Sequence, residues 1–104
     1  MLTNNILGLI GFSARARKIS FGADSVEEQL KKKKVNLIIL ATDSSNRTKD
    51  KFQKLSEIYN IPIIIDGTID SLSKAIGKSN KAIIGIQDKN MSIGIIKKYN
   101  GGDI

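Results

Sequence analysis

The stretch from Gly22 to Ser25 is the part of this sequence whose residue types could hold a ligand. Gly22 breaks the preceding segment, and Asp24 has Glu27 three residues later, the spacing of a helix N-cap with a capping box. The first N–H groups of a helix lack intrahelical acceptors and carry partial positive charge. The pattern therefore predicts an anion site at this helix end. The alternative for Asp24 and Glu27 is a helix cap that binds nothing.

Residues for acid–base, nucleophilic or metal chemistry are scarce. The 104-residue chain contains no His and no Cys, which excludes imidazole bases, thiolate chemistry, disulfides and Cys-based metal sites. Its ten acidic residues are scattered and are interpreted as caps and solvated faces. Neither a GxxxxGK nor a GxGxxG phosphate loop is present. We expect no enzymatic activity, cofactor, metal site or small-molecule substrate; turnover by the purified protein would revive a phosphate-using enzyme.

The net charge of +7 and the pI near 9.8 indicate a polyanionic partner, nucleic acid before membrane. The alternative is a charge that only keeps the protein soluble. No stretch approaches the roughly 20 apolar residues of a transmembrane helix, so no membrane partner is expected. The absence of cysteine and of a secretion leader favours a cytoplasmic protein. We expect a monomer.

The spacing of apolar side chains predicts five helices that position these groups. The first runs from Thr3, its cap, to a basic last turn with Arg15, Arg17 and Lys18, and the second ends in four lysines. The third should bury a stripe of Phe52, Leu55 and Ile58. The remaining helices are expected after Thr68, as far as Gly77, and after Asn90, and the tail of about residues 99–104 should fray.

Apolar runs predict the strands. Val35 to Ala41, Ile61 to Ile65 and Ala82 to Ile86 are nearly all apolar, as in strands buried on both faces, and Ile19 to Phe21 could be a shorter strand. Helices alternating with strands predict the α/β class: one domain over residues 1–104, a three-layer α-β-α sandwich with a small mixed, mainly parallel sheet. Sites in such folds gather beyond the carboxyl ends of strands.

The segments GFSARARKISFG, LIILATDSSNRTK and YNIPIIIDGTIDSLSKAIGK, in this order, resemble the kink-turn-binding ribosomal-protein family. They look closest to its small bacterial YlxQ-like branch. The resemblance extends from Ile6 to Lys98 and is most telling from Ile61 to Gly77. It implies an α-β-α sandwich that binds RNA with a sharp bend flanked by sheared G·A pairs.

The resemblance also implies an RNA-contacting motif at the second helix: Gly, a small residue, Asn-Glu, then Lys three residues beyond the Glu. Gly22 and Ala23 match it, whereas Asp24, Ser25 and Glu28 replace the Asn, Glu and Lys. An ionised Asp only accepts hydrogen bonds, and Glu for Lys exchanges an attractive charge for a repulsive one. Asp24 could still accept from a guanine amino group, and Ser25 could bond either way.

A second family contact matches Asp66, Gly67, Thr68 and Ile69. In the family an apolar side chain here packs on a splayed base, a common mode of RNA recognition. Ile69 is the candidate, and the alternative is that it belongs to the core. Six basic residues are candidates for phosphate contacts: Arg15, Arg17, Lys18, Lys31, Lys32 and Lys78. The lysine run could also be only solvated.

The predicted function is therefore that of a non-catalytic RNA-binding protein for structured, kink-turn-like RNA, with ribosomal RNA and the ribosome as candidate partners. The alternative is a protein-interaction module of the same fold that has lost specific kink-turn contacts. A salt-dependent affinity for nucleic acid distinguishes the first from the second.

Overall fold

A four-stranded mixed sheet forms the centre of the fold, in a computed structural model that describes residues 1–101. The strands are β1 (Ile19–Phe21), β2 (Leu37–Leu40), β3 (Ile63–Ile65) and β4 (Ile83–Ile86), in the order β1-β4-β2-β3. Strands β2 and β3 are parallel, and β4 is antiparallel to both β1 and β2. The mixed sheet is as predicted, but it is not mainly parallel.

The loop before β4 returns the chain to the edge of the sheet where β2 ends. Lys81 donates its backbone N–H to Ser73 Oγ at 2.8 Å, which holds the loop beside the preceding helix. Ala41 N–H donates to Ala82 O at 2.9 Å, so β4 starts at the edge where β2 finishes. A strand that starts at that edge must run antiparallel to its neighbours.

Five helices cover the two faces of the sheet, which confirms the three-layer architecture. They are α1 (Asn4–Arg15), α2 (Ala23–Lys31), α3 (Asn46–Tyr59), α4 (Ile69–Ala75) and α5 (Lys89–Gly101). Leu37 and Ile39 pack with α1, α4 and α5, whereas Ile38 and Leu40 pack with α2 and α3. All four residues of β2 are buried, as expected for a strand covered on both faces.

The first two helices begin or end elsewhere than predicted. Helix α1 ends at Arg15, because Arg17 adopts a left-handed conformation with φ 59°. The N-cap of α2 is Gly22 and not Asp24, since Gly22 has φ 83° and ψ 155° and Ala23 is already helical. The predicted capping box is therefore wrong: Asp24 lies in the first turn, and Glu27 contacts lysines instead.

The later helices differ in detail. Ile58 is 70% exposed and not buried as predicted, because the face of α3 that meets the sheet carries Phe52 and Ser56, four residues apart. Helix α5 begins one residue before Asn90, and the Asp88 carboxylate accepts the Met91 N–H at 2.8 Å. Residues 99–101 are helical, contrary to the expected frayed tail, and residues 102–104 lie outside the described part of the chain.

The turn into and out of α4 is as predicted. Thr68 is its N-cap in a full capping box with Ser71, and Gly77 follows the helix with φ 70°.

Over residues 1–101, the helices are all too short or too polar to cross a membrane.

Candidate functional site

Three loops lie together at one edge of the sheet, and two of them carry the residues that the sequence predicted as RNA contacts. Strands β1, β2 and β3 end at this edge and β4 begins there. Backbone hydrogen bonds tie the Gly22 turn to the start of β4 and the loop after β2 to the loop after β3. Gly22 N–H donates to Ile83 O at 3.0 Å, and Thr42 N–H donates to Gly67 O at 2.9 Å. We call this edge the rim and define it as residues 22–25, 42–43 and 66–69.

The N-terminus of α2 supplies free backbone donors to the rim. The Val26 N–H donates to Gly22 O at 3.1 Å, and no side chain caps the helix. The N–H groups of Ala23, Asp24 and Ser25 precede this first intrahelical bond and point outward. All three residues are exposed. This end of the helix is thus open to an anion or a hydrogen-bond acceptor.

The loop before α4 is fixed from two sides. The Ile69 N–H donates to Asp43 Oδ1 at 2.8 Å, and Thr42 Oγ1 donates to Gly67 O at 2.7 Å. Ile69 is half-buried and packs against the core cluster, while the rest of its side chain faces solvent. It therefore contributes to the core and still presents an apolar surface at the rim.

Asp66 supports this loop through its own hydrogen bonds. Its carboxylate accepts the Gly67 N–H at 2.6 Å and the Tyr99 hydroxyl at 2.8 Å, and it pairs with the Met1 ammonium at 3.2 Å. Partial burial acts to raise the pKa of Asp66, but these three donors outweigh it and lower the pKa below its usual value. The hydrogen bond between the Tyr99 hydroxyl and the Asp66 carboxylate also raises the pKa of Tyr99. Asp66 is occupied within the protein and does not offer a free carboxylate.

Cationic side chains border the rim around an aromatic ring. The Lys78 and Lys81 ammonium groups lie 5.2 Å and 5.5 Å from the centroid of the Phe21 ring, within cation–π distance. Lys78 also lines one cleft with Ile69 and another with Arg17. The sequence did not predict Phe21 and Lys81 as site residues, because they lie far apart along the chain. The only signal was that the end of β1 and the start of β4 were expected in the same sheet.

Arg15 and Arg17 extend this basic surface away from the rim. Arg15 lines a cleft with Lys74 and Lys78 at the end of α1. Arg17 lies beyond the helix, on a different cleft beside Phe21. The structure thus brings both arginines near Lys78 although they do not share a helix face.

The other predicted basic residues lie away from the rim. Helix α2 runs from the rim toward the opposite edge, so its final lysines lie at the far end. Lys31 and Lys32 pair with Glu27 and Glu28 at 3.7 Å and 3.1 Å.

Lys18 precedes β1 at the same far edge and pairs with Asp88 at 3.2 Å. The pKa of Glu27 is lowered, chiefly by a hydrogen bond from Lys51. Lys18, Lys31 and Lys32 do not belong to the rim, and their contacts with RNA remain predictions.

Metal binding has no support in residues 1–101, where no cluster of three or more acidic, His or Cys side chains could hold an ion. Among these residues, the exposed carboxylate of Asp24 stands alone, and that of Glu28 lies beside Lys32. The site is a surface of backbone donors, short polar side chains and one partly exposed isoleucine, bordered by cations. Such a surface is suited to binding and not to bond-making chemistry.

Solved structures share this fold. A protein with unknown function from Bacillus halodurans superposes with a TM-score of 0.90 and 31% identity, covering 94% of this chain and 99% of the other. The Giardia lamblia 15.5kD RNA binding protein superposes with a TM-score of 0.79 over 95% of this chain and 91% of its own. At 20% identity, the second likeness shows the fold alone.

Relatives in sequence extend the comparison. The RNA-binding protein YlxQ of Bacillus subtilis is 26% identical over 84 residues, 81% of this chain and 84% of its own length. The RNA-binding protein YlxQ of Enterococcus faecium is 28% identical over 86 residues, 83% and 82% of the two chains. Both names support the expectation of a non-catalytic protein, and they confirm the resemblance to the YlxQ-like branch.

A family model matches residues 4–95, which include the whole sheet and all the helices except the end of α5. The match confirms the resemblance that the order of the sequence motifs indicated. The chain belongs to the ribosomal protein L7Ae/L30e/S12e/Gadd45 family.

Proposed function

We propose that this protein is a non-catalytic RNA-binding protein that recognises structured, kink-turn-like RNA through the rim. The observation that carries the proposal is the rim itself: the open N-terminus of α2 and the Ile69 loop lie at the edge of the sheet where β1, β2 and β3 end. Family membership over residues 4–95 and the names of the two YlxQ relatives support RNA as the ligand.

Recognition in this proposal combines shape with short polar contacts. The free N–H groups of residues 23–25 donate to phosphate or base acceptors. Asp24 accepts from a guanine amino group, and Ser25 donates or accepts. The exposed part of Ile69 packs against an unstacked base at the bend. Lys78 and Lys81 neutralise flanking phosphates.

The proposal extends to the setting of this activity. The protein acts as a monomer and as one domain over residues 1–104, in the cytoplasm, which a chain without cysteine fits. Ribosomal RNA is the first candidate partner, through association with the ribosome. The mechanism needs no cofactor.

Binding to a kink-turn RNA tests the proposal against a matched control RNA in which Watson–Crick pairs replace the sheared G·A pairs. Fluorescence anisotropy at two salt concentrations gives both affinities and their salt slopes. We expect a clear preference for the bent RNA at both salt concentrations, because shape selection does not depend on counterion release. Equal, steeply salt-dependent binding of both RNAs would contradict the proposal.

A second candidate function is a protein-interaction module, favoured by the exposed carboxylates of Asp24 and Glu28 on α2. Two negative charges near the helix N-terminus weaken its attraction for phosphate. A protein partner with basic side chains would fit this face. Absence of any preference for the bent RNA would make this candidate the better one.

A further inference from the structure

A cleft lies at the edge of the sheet opposite the rim, between the C-terminal ends of α2 and α3. It has a volume of about 410 Å³. Five of its seven lining residues are apolar or aromatic, one is an asparagine and one is a lysine: Leu30, Val35, Ile58, Tyr59, Ile61, Asn36 and Lys33. We call it the lysine cleft. No part of the proposed RNA surface includes it.

Ile58 makes this cleft unusual for a surface groove. It is 70% exposed, although Leu30 and Val35 below it are buried. Single exposed apolar side chains are common, but Ile58 continues an apolar wall that Tyr59 and Ile61 complete. An apolar wall beside a cleft of this size can bury a bulky side chain of a partner.

Lys33 provides the charge of the cleft. It adopts φ 59° just after α2, with its N–H donating to Leu30 O at 3.0 Å, while Lys34 N–H donates to Gln29 O at 3.0 Å. Glycine is the favoured residue at this left-handed position, so the lysine side chain is held there at a backbone cost. The described ion pairs of the lysine run involve Lys31 and Lys32 but neither Lys33 nor Lys34.

We propose that the lysine cleft binds a short acidic segment of a partner protein. A bulky apolar side chain of the segment packs against Ile58 and Tyr59, and a flanking carboxylate pairs with Lys33. This interaction goes beyond RNA binding, because it uses the opposite edge of the sheet and leaves the rim free.

The chemistry of the cleft favours this occupant over two others. RNA phosphates gain little from a wall of aliphatic side chains. A second copy of this chain would bring two runs of four lysines (residues 31–34) close together, and like charges across an interface disfavour association. An acidic apolar peptide matches both the lining and the charge.

Selection of peptides from a random phage-displayed library tests the proposal on the full chain. We expect enriched peptides that combine Asp or Glu with Leu, Phe or Trp. Synthetic versions should bind the wild type, with about tenfold or greater loss of affinity in Ile58→Asp and in Lys33→Gly. Lys33→Gly is the sharper variant, because glycine suits this backbone and thermal stability should hold or rise. A loss of binding in that variant is therefore not a loss of fold.

Arg17→Gly is the matched control, since Arg17 has the same left-handed conformation after α1 and also carries a positive charge. It should leave peptide affinity nearly unchanged, and Lys33→Gly should lower affinity for kink-turn RNA only by the small amount that the loss of one distant charge causes. Enrichment of peptides without acidic residues, or equal affinity for the wild type and both cleft variants, would overturn the proposal. So would a wild-type dimer that Ile58→Asp converts to a monomer in sedimentation, or displacement of the peptides by RNA.

Discussion

At the scale of single residues, two exposed side chains of α2 are acidic. Asp24 and Glu28 are exposed, and Glu28 pairs with Lys32 at 3.1 Å. The resemblance in sequence places Glu28 where the family motif has a lysine. Its carboxylate repels phosphate, whereas a lysine would attract it.

Glu28→Lys should therefore tighten RNA binding by about three- to tenfold at low salt and steepen the salt slope by about one phosphate contact. The exposed ion pair it removes contributes little, so the free energy of unfolding should change by less than about 1 kcal/mol. Anisotropy titrations with kink-turn RNA over a range of salt concentrations measure both changes.

The control is Glu57→Lys, an equal charge change at an exposed position near the far end of α3. It should raise affinity less, because only the overall charge of the protein changes. An equal gain in both variants would mean that RNA does not contact α2 near Glu28.

The lowered pKa of Asp66 makes the stability of the fold depend on pH. Burial acts to raise its pKa, but hydrogen bonds from Tyr99 and Gly67 and the Met1 ammonium hold the pKa below the ordinary 3.8. Because the folded-state pKa is the lower one, the stabilisation is complete above the unfolded pKa and is lost as pH falls through the folded pKa. Thermal unfolding followed by circular dichroism should show the melting temperature of the wild type falling below about pH 4.

Asp66→Asn should melt at a lower temperature than the wild type at neutral pH and show a shallower fall in acid, because it cannot titrate. Asp50→Asn, on an exposed position of α3, is the control and should follow the wild-type profile. A wild-type acid slope in Asp66→Asn would show that Asp66 does not contribute to acid unfolding.

At the scale of elements, the start of α2 depends on one backbone conformation. Gly22 has φ 83° and ψ 155°, and a Cβ added there would meet nothing within 4 Å. The cost of Gly22→Ala is therefore backbone strain alone, about 1–3 kcal/mol of unfolding free energy by urea denaturation. RNA affinity should fall as well, since the free N–H groups of α2 would shift.

Gly8→Ala is the matched control, because Gly8 lies inside α1 with nothing within 4 Å of an added Cβ. Alanine favours a helix interior, so this variant should gain up to about 1 kcal/mol. If Gly22→Ala proved as stable as the wild type, the left-handed entry into α2 would not be required.

The elements themselves could largely be predicted from the sequence. Apolar runs identified the buried strands, and Thr68 and Gly77 marked the ends of α4, because buried β-strands and helix caps depend on local residue types. Sheet direction could not be predicted in the same way. It depends on the edge at which the loop before β4 enters the sheet, and that loop contacts α4 through Lys81 and Ser73, a contact that no local pattern contains.

The site was likewise predictable in part, where it depends on local residue types, and not where it depends on contacts between distant residues. The rim loops were predictable, since sites gather beyond the carboxyl ends of strands. The predicted Asp24 cap was wrong, because the N-cap is Gly22 and the helix starts two residues earlier than an Asp24 cap would place it. The neighbourhood of Phe21, Lys78 and Lys81 required the folded chain, which brings the end of β1 beside the loop before β4.

At the scale of the whole molecule, the charge of +7 is spread over both edges of the sheet. One basic cluster borders the rim near Phe21, and the lysine run of residues 31–34 lies at the far edge. The total charge attracts any nucleic acid in a salt-dependent manner. We therefore expect a preference for bent RNA to come from the rim, where the backbone donors and Ile69 are placed.

The central claim is that the rim is the RNA-binding surface, and backbone amide chemical shifts of the ¹⁵N-labelled full chain test it most directly. On titration with kink-turn RNA, we expect the largest changes at Ala23 to Ser25 and at Gly67 to Ile69, with small changes at Lys31 to Lys34. The control RNA without sheared G·A pairs should not reproduce this pattern. Changes concentrated on the lysine run, with an unaffected rim, would contradict the account.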